Sequence, residues 1–95
     1  MKAVVLEKLR EAVNEWVRDH GIEATLVEVK ASGIAIGVHI LVVARRGFEH
    51  WYWAEREGDL FRFLRARFNG NNDFMITRLE TMTEEQYEKY AEVEV

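Results

Sequence analysis

The chain of 95 residues contains no cysteine and no proline. Without cysteine it can form no disulfide, no thiolate nucleophile and no thiolate-bound zinc or iron–sulfur centre. A hydrophobic core therefore has to supply the stability, and a chain of this length buries roughly two thirds of the surface that it exposes when unfolded. We expect a single globular domain over residues 1–95.

Long hydrophobic runs and an excess of positive charge are also missing. The longest apolar stretch, residues 34–44, is interrupted by Gly37 and His39 and is too short to cross a bilayer, so no membrane contact is expected. Charges at Glu7 and Lys8 interrupt the N-terminal segment before it forms the unbroken apolar stretch of a signal peptide, and a chain without cysteine fits a reducing compartment, so a cytoplasmic location is expected. The net charge of -4, from 13 basic and 17 acidic side chains, argues against nucleic-acid binding over the whole surface.

The first half of the chain changes its hydrophobic period twice. Apolar residues spaced at three and four positions predict a helix from Val5 to about His20, which Gly21 ends. Alternation over residues 24–31 predicts a half-buried strand. Residues 34–45 are apolar on both sides, as in a central strand that is covered on both faces or lies at a subunit contact.

The second half is less regular. Residues 48–57 fit either a strand or a helix, and Asp59 is a suitable N-cap for a helix that the loop 69–73 ends. Residues 74–79 form a short predicted strand, and residues 83–86 form a capping box that opens a last helix. The predicted order is α-β-β-(β)-α-β-α, an α+β two-layer sandwich with a small mixed sheet and helices on one face.

Two segments resemble the BolA-like family. Residues 79–87, Leu-Glu-Thr-Met-Thr-Glu-Glu-Gln-Tyr, are similar to its last strand and the start of its last helix, with Glu84 where proline is usual. Residues 38–43, Val-His-Ile-Leu-Val-Val, are similar to its strand that begins with a Ser-His pair, and Gly47-Phe48 falls where that strand ends. The resemblance implies a fold related to type II KH domains.

The family's metal chemistry does not follow from this resemblance. BolA-like proteins carry an Arg-His-Arg and a His-Ala-Leu segment, the latter associated with metal or iron–sulfur ligation shared with a monothiol glutaredoxin. The corresponding segments here, residues 55–57 and 74–76, read Glu-Arg-Glu and Phe-Met-Ile. Only His39 matches a family histidine in position. The three histidines have no metal-ligand spacing, so neither a metal nor a cofactor is expected.

The segment Trp51-Tyr52-Trp53 is the most unusual feature of the sequence. As a strand it places both tryptophans on one face and Tyr52 on the other. The aromatic rings either pack in the core or form an exposed platform for a protein, a planar ligand or a cation. Nearby polar side chains extend this candidate binding site. Its predicted residues are Arg45, Arg46, His50, Trp51, Tyr52, Trp53 and Arg56.

We expect a non-catalytic interaction or regulatory module that self-associates or binds a protein through an apolar, Trp-rich sheet face. The first alternative is a BolA-like or KH-related domain that binds nucleic acid or a small ligand, with Arg45, Arg46 and Arg56 on the phosphate backbone. The second is a small nuclease-type enzyme in which Glu49 and His50 act as acid and base.

Overall fold

A computed structural model describes residues 3–93; residues 1, 2, 94 and 95, the two ends of the domain predicted over residues 1–95, lie outside it. The elements are α1 (Ala3–Asp19), β1 (Glu23–Ala31), β2 (Gly37–Arg46), α2 (Trp53–Arg67), β3 (Met75–Thr83) and α3 (Glu84–Val93). The sheet has the order β1-β2-β3, with β1 antiparallel and β3 parallel to the central strand. The predicted α+β class with a small mixed sheet is confirmed.

The first predicted helix and strand are confirmed. Helix α1 buries the stripe that its periodicity predicted, including Leu9, Val13 and Trp16. Gly21 has φ 64° and ends the helix, and the Ile22 N–H donates to the Val17 carbonyl over 3.0 Å. The left-handed conformation at this position is the reason for the glycine. The chain then enters β1 directly.

The central strand is shorter than predicted. It begins at Gly37, and residues 34–36 belong to the β1–β2 hairpin. The Gly37 N–H donates to the Ile34 carbonyl over 3.0 Å, which closes a tight turn before the strand starts. Ile34 and Ile36 are consequently 78% and 41% exposed rather than part of the sheet. Their β-branched side chains resembled a strand, but the turn set by Ser32 and Gly37 decides the local structure.

Residues 48–57, which fitted either a strand or a helix, contain no strand, and the helical alternative holds from Trp53 onward. The predicted N-cap at Asp59 is wrong. The helix begins at Trp53 and runs through Gly58. Arg56, Leu60 and Leu64, which are spaced by four, all lie buried on one side of it. Asp59 serves a different purpose from capping, because its Oδ2 accepts the Trp16 indole N–H over 2.9 Å.

The predicted capping box is confirmed. The Gln86 N–H donates to Thr83 Oγ1 over 3.1 Å, and the Thr83 N–H donates to Gln86 Oε1 over 2.9 Å. The preceding strand β3 is longer than the predicted segment 74–79, since it continues to Thr83. The alternation of apolar and polar residues in this strand is hard to recognise in the sequence, because the charged Arg78 and Glu80 occupy the face opposite the core.

The sheet has two unlike faces. On the first face, Val29, Ile40 and Val42 pack beneath α1 and α2 in the hydrophobic core. The prediction that helices lie on one face holds for these two helices, whereas α3 lies against the other side, where Tyr87 and Tyr90 line a cavity with residues of β2 and β3. None of the helices within residues 3–93 is long and apolar enough to span a membrane.

Candidate functional site

The three consecutive aromatic residues do not form a common platform. Trp51 lies in the loop before α2 and is half-buried, with its ring stacked on Trp16 at 5.7 Å and on His20 at 5.3 Å between centroids. The fully buried Trp16 connects this group to the core. Trp51 is therefore chiefly a packing residue, in accordance with the core interpretation of its ring.

Tyr52 and Trp53 remain exposed, at 60% and 52%. They lie at the N-terminus of α2 with ring centroids 5.6 Å apart and planes tilted by 48°. The neighbouring side chains Glu49 and Glu55 are exposed carboxylates rather than cations. This pair belongs to a helix start and not, as predicted, to the apolar face of a sheet.

Arg56 was predicted to bind a ligand, but the structure makes it a buried structural residue. It is 3% exposed, and its guanidinium lies 4.6 Å above the ring centroid of Phe48. Each of its nitrogens donates hydrogen bonds: Nε to Thr81 Oγ1 at 2.6 Å, Nη1 to the carbonyls of Phe48 and Trp51 at 3.3 and 2.9 Å, and Nη2 to the Thr81 carbonyl and Gln86 Oε1 at 2.9 and 3.2 Å. Burial lowers the pKa of this guanidinium, which nevertheless stays charged at neutral pH. The side chain thus joins α2 to the loop before it, to β3 and to α3, and all of its donors are used within the protein.

Arg45 and Arg46 are exposed, but each has an acidic partner. Arg45 Nη1 lies 3.2 Å from Glu23 Oε1 and its Nε lies 3.8 Å from Glu84 Oε1. Arg46 Nε lies 4.0 Å from Glu23 Oε2. These carboxylates neutralise much of the positive field that a nucleic-acid backbone would require.

Glu49 and His50 lie in the loop between β2 and α2. Glu49 Oε2 accepts the Gly47 N–H over 2.6 Å, and this hydrogen bond, with a smaller one from its own N–H, holds the pKa of the carboxyl below its ordinary value. His50 is exposed and has φ 67°, a left-handed conformation that turns the loop. Both residues therefore shape the loop between β2 and α2. Within residues 3–93 no group of three or more metal-ligating side chains comes together.

The second face of the sheet carries ordered rows of side chains that the sequence did not predict. Cross-strand pairs place Lys30, His39 and Arg78 side by side on β1, β2 and β3, and we call these three residues the basic row. Two positions along the strands, Glu28, Leu41 and Glu80 form the acidic row. The next, apolar row contains Leu26, Val43 and Met82.

The charges of this face are paired along the strands. Lys30 Nζ lies 3.4 Å from Glu28 Oε1, and Arg78 Nε lies 3.3 Å from Glu80 Oε1. The side chains of these four residues retain 32–61% of their exposure, so the pairs are accessible to solvent. With two cations and two carboxylates, the second face has no net charge from these groups, although the whole chain carries -4.

Helix α3 closes one end of the second face. Together with the rows it encloses a cavity of about 240 Å³, which is smaller than the usual pocket for a drug-sized ligand. The cavity is lined by Glu28, Lys30, His39, Ile40, Leu41, Arg78, Glu80, Met82, Tyr87 and Tyr90. The opposite end, beside the β1–β2 hairpin, carries the exposed Ile34 and Ile36.

Side chains from the helices cover parts of both sheet edges. Arg10 of α1 donates to the Val29 carbonyl over 3.1 Å on β1. Glu57 of α2 accepts the Thr81 N–H over 2.8 Å on β3. Occupied edge groups hinder the addition of a further strand.

Sequence reasoning expected the second face to be apolar and missed its charged rows, because these rows depend on the cross-strand register. One signal was present in the sequence: Glu28 and Lys30 alternate with apolar residues, so the predicted strand already placed both on the side opposite the core.

Comparison with models of protein families, with curated proteins and with solved structures finds no match. The resemblance to the BolA-like family stays a prediction.

Proposed function

We propose that this protein is a non-catalytic interaction module that self-associates through the second face of its sheet. The observation that carries the proposal is the order of basic, acidic and apolar rows across three neighbouring strands. Such a surface contains both the cations and the carboxylates that an identical surface can pair with. Charge complementarity of this kind steers association and selects the partner.

The distribution of charge favours a second copy over a nucleic acid as the partner. A chain with a net charge of -4 repels both phosphate groups and other copies of itself over most of its surface. On the second face, the balance of Lys30 and Arg78 against Glu28 and Glu80 removes this repulsion. A phosphate backbone would gain from the two cations but would lie equally close to the two carboxylates.

The centre of the face supplies the apolar contact. Leu41 is half-buried in the monomer and lies between Glu28 and Glu80, while Val43 in the next row is 2% exposed. Covering the exposed part of Leu41 with a side chain of the partner stabilises association by about 1 kcal/mol, because only part of its surface remains to be buried. We therefore expect a weak, concentration-dependent association rather than an obligate dimer.

Sedimentation velocity over a range of protein concentrations tests this proposal. The wild type is expected to shift from monomer to dimer as concentration rises, and Leu41→Lys is expected to remain monomeric at the same concentrations. Tyr52→Lys is the matched control, because it adds the same charge at the exposed aromatic pair. A wild type that stays monomeric, or a dimer that Tyr52→Lys abolishes and Leu41→Lys preserves, would contradict the proposal.

A further inference from the structure

Two identical sheet faces can pair about a twofold axis in two simple ways, and the rows distinguish them. If the axis runs along the strands, each row meets the same row of the partner. Lys30 then faces Arg78 of the other copy, and Glu28 faces Glu80. Like charges placed opposite each other are destabilising, so the charges of the monomer oppose this arrangement.

If the axis runs across the strands, between the basic and the acidic row, the two rows exchange places. Lys30 then faces Glu28 of the second copy, Arg78 faces Glu80, and His39 faces Leu41. We infer that the second copy docks in this orientation, with its strands running opposite to those of the first. The inference rests on the proposed function and specifies how the two copies fit together.

The position of α3 supports the same orientation independently of charge. The helix begins where β3 finishes, and its Tyr87 and Tyr90 line a cavity that the residues of both charged rows also line. With the axis along the strands, the two α3 helices, each about 10 Å across with its side chains, would lie at the same end of the interface and compete for the same space. With the axis across the strands, each α3 lies at the hairpin end of the partner.

The hairpin supplies an apolar contact for that end. Ile34 and Ile36 are 78% and 41% exposed, and they belong to the turn that precedes β2. In the reversed orientation they approach α3 of the second copy. The turn is closed by backbone hydrogen bonds and by Ser32, so both side chains project from a fixed backbone. The pairing thus uses both ends of the face.

A charge exchange within the face provides the test. The variant Glu28→Lys, Lys30→Glu, Arg78→Glu, Glu80→Arg interchanges the signs of the two rows and keeps an opposite pair on each strand, so the charge interactions within the monomer are preserved. In the reversed orientation this variant should dimerise with the same dissociation constant as the wild type. It should not form mixed dimers with the wild type, because cations would then face cations.

Mixing is measured by native mass spectrometry, with isotope-labelled wild type and unlabelled variant at equal concentrations. Dimerisation of each chain with few or no mixed dimers supports the orientation. Mixed dimers in the statistical proportion or above contradict the orientation but not self-association. If wild type and variant both stay monomeric, the orientation and the proposed function are both contradicted. Circular dichroism confirms the fold of the variant.

If the fourfold variant does not fold, the smaller exchange Glu28→Lys, Lys30→Glu on β1 alone decides the question by sedimentation. The reversed orientation predicts an unchanged dissociation constant, because β1 faces β1 of the partner. With the axis along the strands, Glu introduced at position 30 would face Arg78, and the variant would associate more tightly than the wild type. Tighter association of this variant than of the wild type would therefore contradict the reversed orientation.

Discussion

Arg56 donates two hydrogen bonds to Thr81, from Nε to the hydroxyl at 2.6 Å and from Nη2 to the carbonyl at 2.9 Å. The same hydroxyl donates to Glu57 Oε2 over 3.2 Å. These contacts join α2 to the end of β3, directly before α3 begins. The position of α3 at the second face thus depends on a buried charge whose hydrogen bonds are supplied by neighbouring segments.

Replacing Arg56 by methionine should lower the free energy of unfolding by about 3 kcal/mol, because the carbonyls of Phe48, Trp51 and Thr81 lose their charged donor inside the protein. Urea unfolding followed by circular dichroism measures the change. Arg62→Met is the control, since the Arg62 side chain is 73% exposed and should matter by less than about 0.5 kcal/mol. Equal effects of the two substitutions would show that the Arg56 contacts contribute no stability.

The Trp16 indole N–H depends on Asp59 as its acceptor. Asp59→Ala leaves this donor unpaired in the core and should destabilise the fold by about 1–2 kcal/mol, whereas Asp59→Asn keeps a side-chain oxygen and should cost less. Urea unfolding of both variants provides the comparison. The interpretation is wrong if the alanine variant is as stable as the wild type.

The tryptophans should differ in their accessibility to a solute quencher. Trp53 is 52% exposed and Trp16 is 0% exposed, so Trp53→Phe should remove most of the fluorescence that iodide quenches and Trp16→Phe little of it. Trp51, which is half-buried against Trp16 and His20, should be intermediate. Stern–Volmer plots of the single variants measure this order, which a common exposed platform would not produce.

Glu49 should stabilise the loop before α2 in a pH-dependent way. Its pKa in the folded protein lies below the ordinary value of 4.5, chiefly because it accepts the Gly47 N–H, so protons bind the unfolded chain more tightly. The contribution is present above the ordinary pKa and is lost as the pH falls through the folded value. The free energy of unfolding of Glu49→Gln should therefore be lower than that of the wild type at neutral pH, and the two values should converge in acid. The substitution Glu88→Gln on α3 is the control, and a difference for Glu49→Gln that is independent of pH would contradict this role.

The sequence predicted those elements whose pattern is local. Helix α1 and strand β1 follow from their hydrophobic periods, and Thr83 with Gln86 identified the start of α3. The start of α2 was missed because Arg56 counts as a polar residue in a hydrophobic pattern, although it occupies a buried position of the helix. Its compensating hydrogen bonds come from β3 and from the loop, which no local pattern records.

The candidate site was predicted less well for a related reason. Trp51, Tyr52 and Trp53 are adjacent in sequence, but a loop followed by a helix start sends one ring towards Trp16 and leaves the other two in solvent. The rows of the second face, by contrast, join residues separated by up to 56 positions, such as Leu26 and Met82, and appear only once the strand register is known. The expectation of an apolar face was therefore placed at the wrong aromatic residues.

The most direct test of self-association through the second face is a residue-by-residue map of backbone amide chemical shifts as the protein is diluted. Residues of the basic and acidic rows, above all His39, Leu41 and Glu80, should shift together with concentration, while Tyr52 and Trp53 should not. Shifts confined to Tyr52 and Trp53, or amide resonances that do not change with concentration anywhere on the second face, would contradict the account.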